Sequence, residues 1–320
     1  MGRPVMDKSA KVFVAGHDGM VGTALLRCLK AAGFTNIITK SSEQLNLTDQ
    51  NGVRNFFLQE EPEYVFLLTA KEGGILANIT YPADLIYVNL QIQLNLIHFA
   101  WETGVRKVLF LGSSCVYPKF CPQPMKEDYL LTGALEPTNE PYAIAKIAGI
   151  KMCEAYNRQY GTNFISVIPA NVYGPDDNFD LETSHVISAL IRKSYRAKVS
   201  LQAGKEARVT IWGTGTPRRE FLYADDLADA CIFLLDNYDQ PGPINVGSGE
   251  EVSISKLALM IKDVTGFDGE LIFDETKPDG VPNKLLDATK MTALRWRPKT
   301  DLKEGLKRTY EWFRRSEVGT

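Results

Sequence analysis

The sequence predicts an α/β protein in which a doubly wound parallel sheet carries a second, smaller α/β lobe, and three observations lead to this prediction. Short apolar runs alternate with segments of helical periodicity through the first half of the chain. Those runs are apolar on both faces, as parallel strands are when helices cover both sides of a sheet. After Pro175 the elements become shorter and turn-rich, and 320 residues are enough for one large domain and a smaller lobe.

The individual elements follow from β-branched runs and from apolar residues spaced three and four apart. Strands are predicted at residues 11–15, 37–39, 64–69, 107–112, 163–168 and 243–246, and helices at residues 19–32, 51–59, 82–103 and 140–160. The last of these strands returns to the sheet after the lobe has begun. We therefore expect a first domain of residues 1–175 with about 223–249, and a lobe of about 176–222 and 250–320.

Composition excludes several classes of protein. The net charge of −3 argues against a nucleic-acid binder, which needs an excess of clustered lysine and arginine. No apolar run is long enough to span a membrane, and residues 1–10 lack the apolar core of a signal peptide. The five cysteines are scattered and never spaced as CxxC, which fits reduced thiols better than disulfides or a metal site. We expect a cytoplasmic protein without a metal ion.

Three glycines follow the first predicted strand at a spacing that favours a dinucleotide site. Gly16, Gly19 and Gly22 form GxxGxxG at the start of the first helix. Such a loop turns tightly and brings backbone N–H groups to a pyrophosphate at the positive end of the helix. A plain structural turn is the alternative, but the strand before the loop and the helix after it favour a Rossmann-type sheet.

The end of the second predicted strand bears on which dinucleotide is bound. An NAD site usually has an acid here for the ribose 2′-hydroxyl, whereas this chain has Lys40 and Ser42, which suit the 2′-phosphate of NADP. Asp18 and Glu43 would repel that phosphate, so a strict preference for NADPH is left open. The expected NADP(H) contacts are Gly16, Gly19, Met20, Val21, Gly22, Lys40, Ser42, Asn46, Leu47, Asp49, Leu111, Gly112, Ser113, Ser114, Lys146, Pro169, Ala170, Asn171, Val172 and His185.

A second motif predicts the chemistry. Tyr142 and Lys146 form YxxxK on a predicted helix, four residues apart and therefore on one face. We expect the ammonium and the nicotinamide ribose to lower the pKa of the phenol, so that it acts as acid or base near neutrality. Ser113, after the fourth predicted strand, can hold the substrate oxygen beside it. YxxxK alone occurs by chance on amphipathic helices, but with this serine and the glycine loop it predicts a carbonyl reductase site.

The residues around this centre resemble those of the GDP-L-fucose synthase family, a branch of the extended short-chain dehydrogenases/reductases. The resemblance runs from GHDGMVG at residues 16–22 to the helix near Trp312, so it covers almost the whole chain. Matches of this length in the same order are highly specific. They comprise GSSCVYP (112–118), EPTNEPYAIAKIAGIKMCEAYNRQYG (136–161), NVYGPDDNF (171–179), SHVI (184–187), WGTGTPRREF (212–221) and KPDG (277–280).

The resemblance implies a 3,5-epimerase and NADPH-dependent 4-reductase that converts GDP-4-keto-6-deoxy-D-mannose to GDP-L-fucose. The 4-keto group acidifies the hydrogens on both neighbouring carbons, so a base can remove each proton and an acid can return one on the opposite face. In the family a cysteine and a histidine do this, and the matching positions are Cys115 and His185. Without the resemblance, Cys115 would be a buried hydrophobe and His185 a helix-start residue. Tyr142 then supplies the proton for reduction, assisted by Lys146 and Ser113.

The resemblance also implies that the lobe binds the GDP group. The matching positions are Lys193, Trp212, Arg219 and Asp279, and the planar fork of Arg219 suits a diphosphate. Surface charge and lobe core are the alternatives for these residues. The family further implies a homodimer through the predicted helices at 82–103 and 140–160, which are too apolar for one buried face alone.

Three other functions agree less well with the sequence. A 4,6-dehydratase would be expected to carry an acid pair after the fourth strand, where Ser113, Ser114 and Cys115 stand instead. A 4-epimerase needs no added cysteine and histidine and keeps its NAD bound. A sensing or scaffold protein of this fold typically lacks the tyrosine or the lysine of YxxxK, and both are present here.

Overall fold

The computed structural model describes residues 6–181, 183–277 and 279–318. Its strands are β1 (Val12–Ala15), β2 (Ile37–Ile38), β3 (Tyr64–Leu67), β4 (Lys107–Leu111), β5 (Phe164–Pro169), β6 (Asn171–Tyr173), β7 (Arg208–Trp212), β8 (Arg218–Tyr223), β9 (Pro243–Val246), β10 (Glu251–Ser253), β11 (Glu270–Asp274) and β12 (Asn283–Lys284). Its helices are α1 (Met20–Ala31), α2 (Gln50–Glu60), α3 (Ile75–Thr80), α4 (Pro82–Glu102), α5 (Glu140–Tyr160), α6 (Val186–Gln202), α7 (Ala224–Asn237), α8 (Ile254–Thr265), α9 (Thr289–Ala293) and α10 (Leu302–Val318).

The main sheet has six strands, all parallel, in the order β2-β1-β3-β4-β5-β9. Strands β1, β3, β4, β5 and β9 are buried along their whole length, because helices cover both faces of the sheet. The predicted doubly wound parallel sheet is thus confirmed. The strand order reverses between β1 and β3, and open sheets of this kind bind ligands at the carboxyl ends of the strands beside such a reversal.

Smaller sheets form beyond β5. Strand β8 lies between β10 and β12 and also pairs with β6, while β11 pairs in parallel with β7. These strands and the helices α6, α8 and α10 enclose a second hydrophobic core, separate from that of the main sheet. Its buried members include Tyr173, Ile191, Ile211, Phe221, Leu257, Ile261, Leu306 and Phe313.

Helices α4 and α5 are the two longest helices and pack against each other on the main sheet. Pro82 and Pro141 lie in their first turns, where the missing N–H costs nothing, and Gly161 ends α5 with a φ of 68°. The helices also leave large apolar side chains exposed. The most exposed are Tyr87, Leu94, Ile144 and Tyr160, at 63%, 47%, 42% and 44% of their surface.

The described part of the chain contains neither a membrane-spanning helix nor a metal-binding cluster. None of its helices is both long and apolar enough to cross a membrane. Its His, Cys, Asp and Glu side chains also form no group of three that could hold a metal ion.

Candidate active site

The turn between β1 and α1 forms a cradle of backbone. Gly16 has a φ of 90°, in the left-handed region, and a Cβ there would lie 2.7 Å from a backbone nitrogen that follows β3. A Cβ on Gly22 would overlap the carbonyl oxygen of Gly16. Gly19 is the N-cap of α1 and makes no side-chain hydrogen bond, so the first N–H groups of α1, on Met20 and Val21, face no side-chain cap. This cradle fits a pyrophosphate, which needs close backbone approach and N–H donors.

Ser113, Cys115, Tyr142 and Lys146 come together where β4 ends. Cys115 and Tyr142 belong to one small buried cluster, and the Cys115 N–H donates to Ser113 Oγ at 3.4 Å. Tyr142 and Lys146 lie one turn apart on α5 and expose only 8% and 3% of their surface. The sequence folds this way because Ser113, extended at the end of β4, caps the short 3-10 turn that carries Cys115.

Burial shifts the pKa values of both Tyr142 and Lys146. It lowers the pKa of Lys146 to about 8, and the ammonium donates to the carbonyl of Leu111 at 2.7 Å. Burial first, and then the Glu72 carboxylate and the Cys115 thiol, raise the pKa of Tyr142 well above its ordinary value. The sequence-based expectation of a lowered phenol pKa is therefore not met in the protein without its cofactor, since desolvation and a carboxylate outweigh the ammonium.

Cys115 is a buried thiol beside several polar groups. Burial raises its pKa, while the charge of Lys284 is the largest of the influences that lower it. Both residues line a small cavity together with Glu136 and Asn139. Within the described residues, no group hydrogen-bonds to the buried Oδ1 atom of Asn139. The thiol therefore faces a polar cavity rather than the packed interior of the main core.

His185 lies at the start of α6. It is exposed and forms the N-cap of α6. Burial raises the pKa of the nearby Asp177, the charge of His185 opposes that shift, and the carboxylate accepts a hydrogen bond from Ser188 Oγ. Glu72 acts electrostatically on both Asp177 and Tyr142, so it lies between the His185 side and Tyr142.

Most of the residues predicted to contact the adenosine part of the cofactor already have other partners within the protein. The Lys40 ammonium forms an ion pair with Glu60 at 3.0 Å rather than standing free. Asn46 Oδ1 accepts from the backbone of a turn at 3.1 Å, and Asp49 caps α2 by accepting at 3.1 Å from the N–H two residues on. The carbonyl of Leu47 accepts from an asparagine of α4 at 3.0 Å, and Ser42 is exposed.

The remaining predicted cofactor residues lie at the carboxyl edge of the main sheet. Leu111 ends β4, and Gly112, which follows it, donates its N–H to the Val167 carbonyl at 2.7 Å. Ser114 is buried in the 3-10 turn that follows β4. The other four, Pro169, Ala170, Asn171 and Val172, run from the end of β5 into β6.

The lobe residues form a second polar group. Lys193 donates to the Thr210 carbonyl of β7 at 3.0 Å, and burial lowers its pKa. Burial also lowers the pKa of Arg219, while the charge of Asp279 acts against that shift. Trp212 is 47% exposed. Pro278 of the KPDG motif lies outside the described residues.

Three residues of this region were missed by the sequence reasoning: Glu72, Asp177 and Lys284. Lys284 has a pKa lowered by burial and acts electrostatically on both Cys115 and Arg219, so it lies between the catalytic cavity and the lobe group. No pattern marks these residues, because each acts through contacts across the fold. The only available sign was that Asp177 lies inside the matched motif at residues 171–179.

Comparison with known proteins agrees with this geometry. Residues 12–247 match the NAD dependent epimerase/dehydratase family. The chain is 59% identical to GDP-L-fucose synthase 1 of Arabidopsis thaliana over 96% of its own length and 94% of that protein, and 50% identical to GDP-L-fucose synthase of Escherichia coli over 95% and 96%.

A solved structure is also similar to this chain in sequence and fold. It is a GDP-mannoheptose C4 reductase from Campylobacter jejuni with NADP bound, and it is 41% identical to this chain with a TM-score of 0.90, covering 97% of this chain and 99% of that one. Both the sequence and the fold thus agree along nearly the whole length. The chain belongs to the NAD-dependent epimerase/dehydratase family, in the branch of the GDP-L-fucose synthases.

Proposed function

We propose that this protein converts GDP-4-keto-6-deoxy-D-mannose to GDP-L-fucose, by epimerising C3 and C5 and then reducing C4. One observation carries the proposal: the buried Tyr142 and Lys146 lie with Ser113 and the Cys115 thiol at the carboxyl edge of a dinucleotide-binding sheet. The identity to two GDP-L-fucose synthases supports the same reaction. A reductase alone would not need an acid–base thiol beside the tyrosine.

The cofactor is NADP(H), as in the NADP-bound relative. It supplies the hydride that reduces the 4-keto carbon. Gly16, Gly19 and Gly22 would hold its pyrophosphate, and the N–H groups of Met20 and Val21 would donate to it. Lys40 would hold the 2′-phosphate after leaving Glu60, which costs little because exposed ion pairs are weak. Its other contacts would come from Ser42, Asn46, Leu47, Asp49, Leu111, Gly112, Ser114, Pro169, Ala170, Asn171, Val172 and His185.

In the reduction step, the chain positions the carbonyl and supplies a proton. Ser113 Oγ and Tyr142 Oη would both donate to the 4-keto oxygen and so polarise the carbon. Tyr142 then gives its proton to that oxygen as the alcohol forms. A raised pKa keeps the phenol protonated at neutral pH, which suits an acid. The Lys146 charge, when present, stabilises the phenolate that is left.

In the epimerisation steps, Cys115 and His185 would exchange protons with C3 and C5. Proton removal leaves an enolate whose charge rests on the 4-keto oxygen, where Ser113 and Tyr142 donate. One group removes the proton and the other returns one on the opposite face. Lys284 favours the thiolate form of Cys115 and so supports its role in proton exchange.

The lobe of about residues 176–222 and 250–320 would bind the GDP group, next to the cofactor domain of residues 1–175 and about 223–249. Arg219 would donate to the diphosphate, with Lys193 and Asp279 as further polar contacts and Trp212 packing on the ligand. A homodimer in the cytoplasm completes the proposal. The exposed Tyr87, Leu94, Ile144 and Tyr160 of α4 and α5 support a helical interface between two copies.

Incubation with GDP-4-keto-6-deoxy-D-mannose and either NADPH or NADH tests the function. We expect loss of reduced-nicotinamide absorbance with NADPH and GDP-L-fucose as the product. Oxidation that yields an unepimerised GDP-6-deoxyhexose would identify a C4 reductase alone. No oxidation with either cofactor would contradict the proposal. Gel filtration with light scattering tests the dimer, which a monomer mass would exclude.

A further inference from the structure

The segment after β3 brings a carboxylate to the catalytic tyrosine. Tyr142 Oη donates to Glu72 Oε2 at 3.5 Å, across 70 residues of sequence. The two partners differ in access to water: Tyr142 exposes 8% of its surface, whereas Glu72 is exposed. The backbone N–H of Gly74 donates to the Thr183 carbonyl at 3.0 Å, which ties this segment to the loop before α6. Glu72 therefore links the buried phenol of Tyr142 to the solvent-exposed surface.

The other groups that face Tyr142 do not reach solvent in the same way. Cys115 and Lys146 are buried, and the Lys146 ammonium is bonded to a backbone carbonyl. Ser113 is half-buried and its hydroxyl does not titrate in the neutral range. Asp177 lies beyond Glu72, on the side of His185. Among the described neighbours of Tyr142, Glu72 is the titratable group that is also exposed.

We propose that Glu72 carries protons between solvent and Tyr142 during turnover. The proposal rests on the proposed function, in which Tyr142 gives its proton to the C4 oxygen and becomes a phenolate. The carboxylic acid form of Glu72 then gives its proton to the phenolate, so that a Glu72 O–H bond breaks and the Tyr142 O–H bond re-forms. The carboxylate regains a proton from water at its exposed side. Because Tyr142 exposes only 8% of its surface and Glu72 is exposed, the carboxylate gives the buried phenol a route to solvent.

The variant Glu72→Gln tests the relay, because glutamine keeps a hydrogen-bonding group but cannot take up and release a proton. We expect kcat for NADPH oxidation to fall by about 100-fold, the low end for a positioned acid–base group, with KM unchanged. The solvent deuterium isotope effect on kcat should increase, since proton return becomes limiting. Glu140→Gln, which removes an exposed carboxylate from the first turn of the same helix as Tyr142, is the matched control and should behave like the wild type.

A second readout needs no turnover. In cofactor-free protein labelled with ¹³C at the tyrosine ring, Tyr142→Phe identifies the Tyr142 signal, and Glu72→Gln should shift its titration to lower pH because a negative charge is gone. The relay is wrong if Glu72→Gln keeps the wild-type kcat and isotope effect, or if its only loss is in KM. Wild-type protein that oxidises no NADPH with the sugar would instead overturn the proposed function, whatever the titration shows.

Discussion

The site around Tyr142 and Lys146 and the polar site of the lobe around Trp212 and Arg219 differ in how far their side chains are exposed to water. Tyr142 and Lys146 are almost fully buried. Burial raises the pKa of Tyr142 and lowers that of Lys146, so it favours the neutral form of each side chain. In the lobe, Trp212 is half exposed and Arg219 is only partly buried beside Asp279. A dry cavity strengthens each electrostatic interaction and suits proton transfer, whereas an open group suits capture of an anionic ligand from water.

This difference predicts where substitutions act. In the proposed reaction, Tyr142 and Cys115 touch the reacting atoms, so their loss should lower kcat. Groups in the lobe would contact a part of the substrate that does not change, so their loss should raise KM. Three substitutions test that division and a fourth, Lys146→Met, tests the difference in burial; they follow from the largest expected effect to the smallest.

Tyr142→Phe should nearly abolish reduction, because the phenol is the proposed proton donor to the C4 oxygen. We expect kcat for NADPH oxidation to fall by about 10⁴-fold, at the upper end for a general acid. Solvent deuterium should still enter the keto sugar at C3 and C5, which mass spectrometry measures. Loss of that exchange as well would mean that Tyr142 also acts in the epimerisation.

Cys115→Ala should remove one of the two groups that move protons at the carbons. We expect deuterium incorporation to slow by about 10³-fold, within the range for a positioned acid–base group. Cys153→Ala is the matched control, since it removes a buried thiol from the core side of α5. Unchanged incorporation in the Cys115 variant would exclude the thiol from the mechanism.

Lys146→Met should stabilise the cofactor-free protein. The folded-state pKa of about 8 lies below the ordinary 10.5, so the folded chain binds fewer protons than the unfolded chain between those values. The cost of burying the ammonium is complete below about pH 8 and fades as pH rises to about 10.5. The free energy of unfolding should therefore rise by up to about 3 kcal/mol at pH 7 and by little at pH 10.5.

Urea unfolding at both pH values measures this difference. Lys193→Met is the comparison in the lobe, where the ammonium is only partly buried and the gain should be smaller. An equal loss of stability at both pH values would show that the Lys146 hydrogen bond to Leu111 matters more than the buried charge.

Arg219→Ala should weaken substrate binding and leave the chemistry intact. Loss of a charge-assisted contact to a diphosphate costs about 2 kcal/mol, which is a rise in KM of roughly 30-fold. Arg218→Ala is a matched control, because neighbouring residues of β8 point to opposite faces and Arg218 pairs with Glu251. A fall in kcat with KM unchanged would contradict the proposed division between cavity and lobe.

The main sheet could be predicted from sequence because its strands are buried on both faces. The α5 boundaries, residues 140–160, and the β9 boundaries, residues 243–246, match the prediction at both ends. The lobe strands were missed, since they are short and partly exposed: β7 alternates exposed and buried residues, and β12 has two residues. Their pairing depends on partners distant in sequence.

The candidate site could likewise be predicted only in part from the sequence. Its motif residues are brought together, but the structure adds partners that motifs do not contain. Lys40 pairs with Glu60, and Glu72 reaches Tyr142, because helix and loop packing bring together residues that are far apart in sequence. The raised pKa of Tyr142 follows from that packing and not from the spacing of YxxxK.

The return of β9 to the main sheet has a consequence for synthesis on the ribosome. Residues Ser166 to Pro169 of β5 pair with Pro243–Val246, which are synthesised only after the first lobe segment, residues 176–222. Until then the growing chain carries β5 as an open, apolar sheet edge, and such edges pair readily with other chains. A fragment that ends before β9 would keep that edge permanently, so truncation there should yield aggregates rather than a free-standing nucleotide-binding domain.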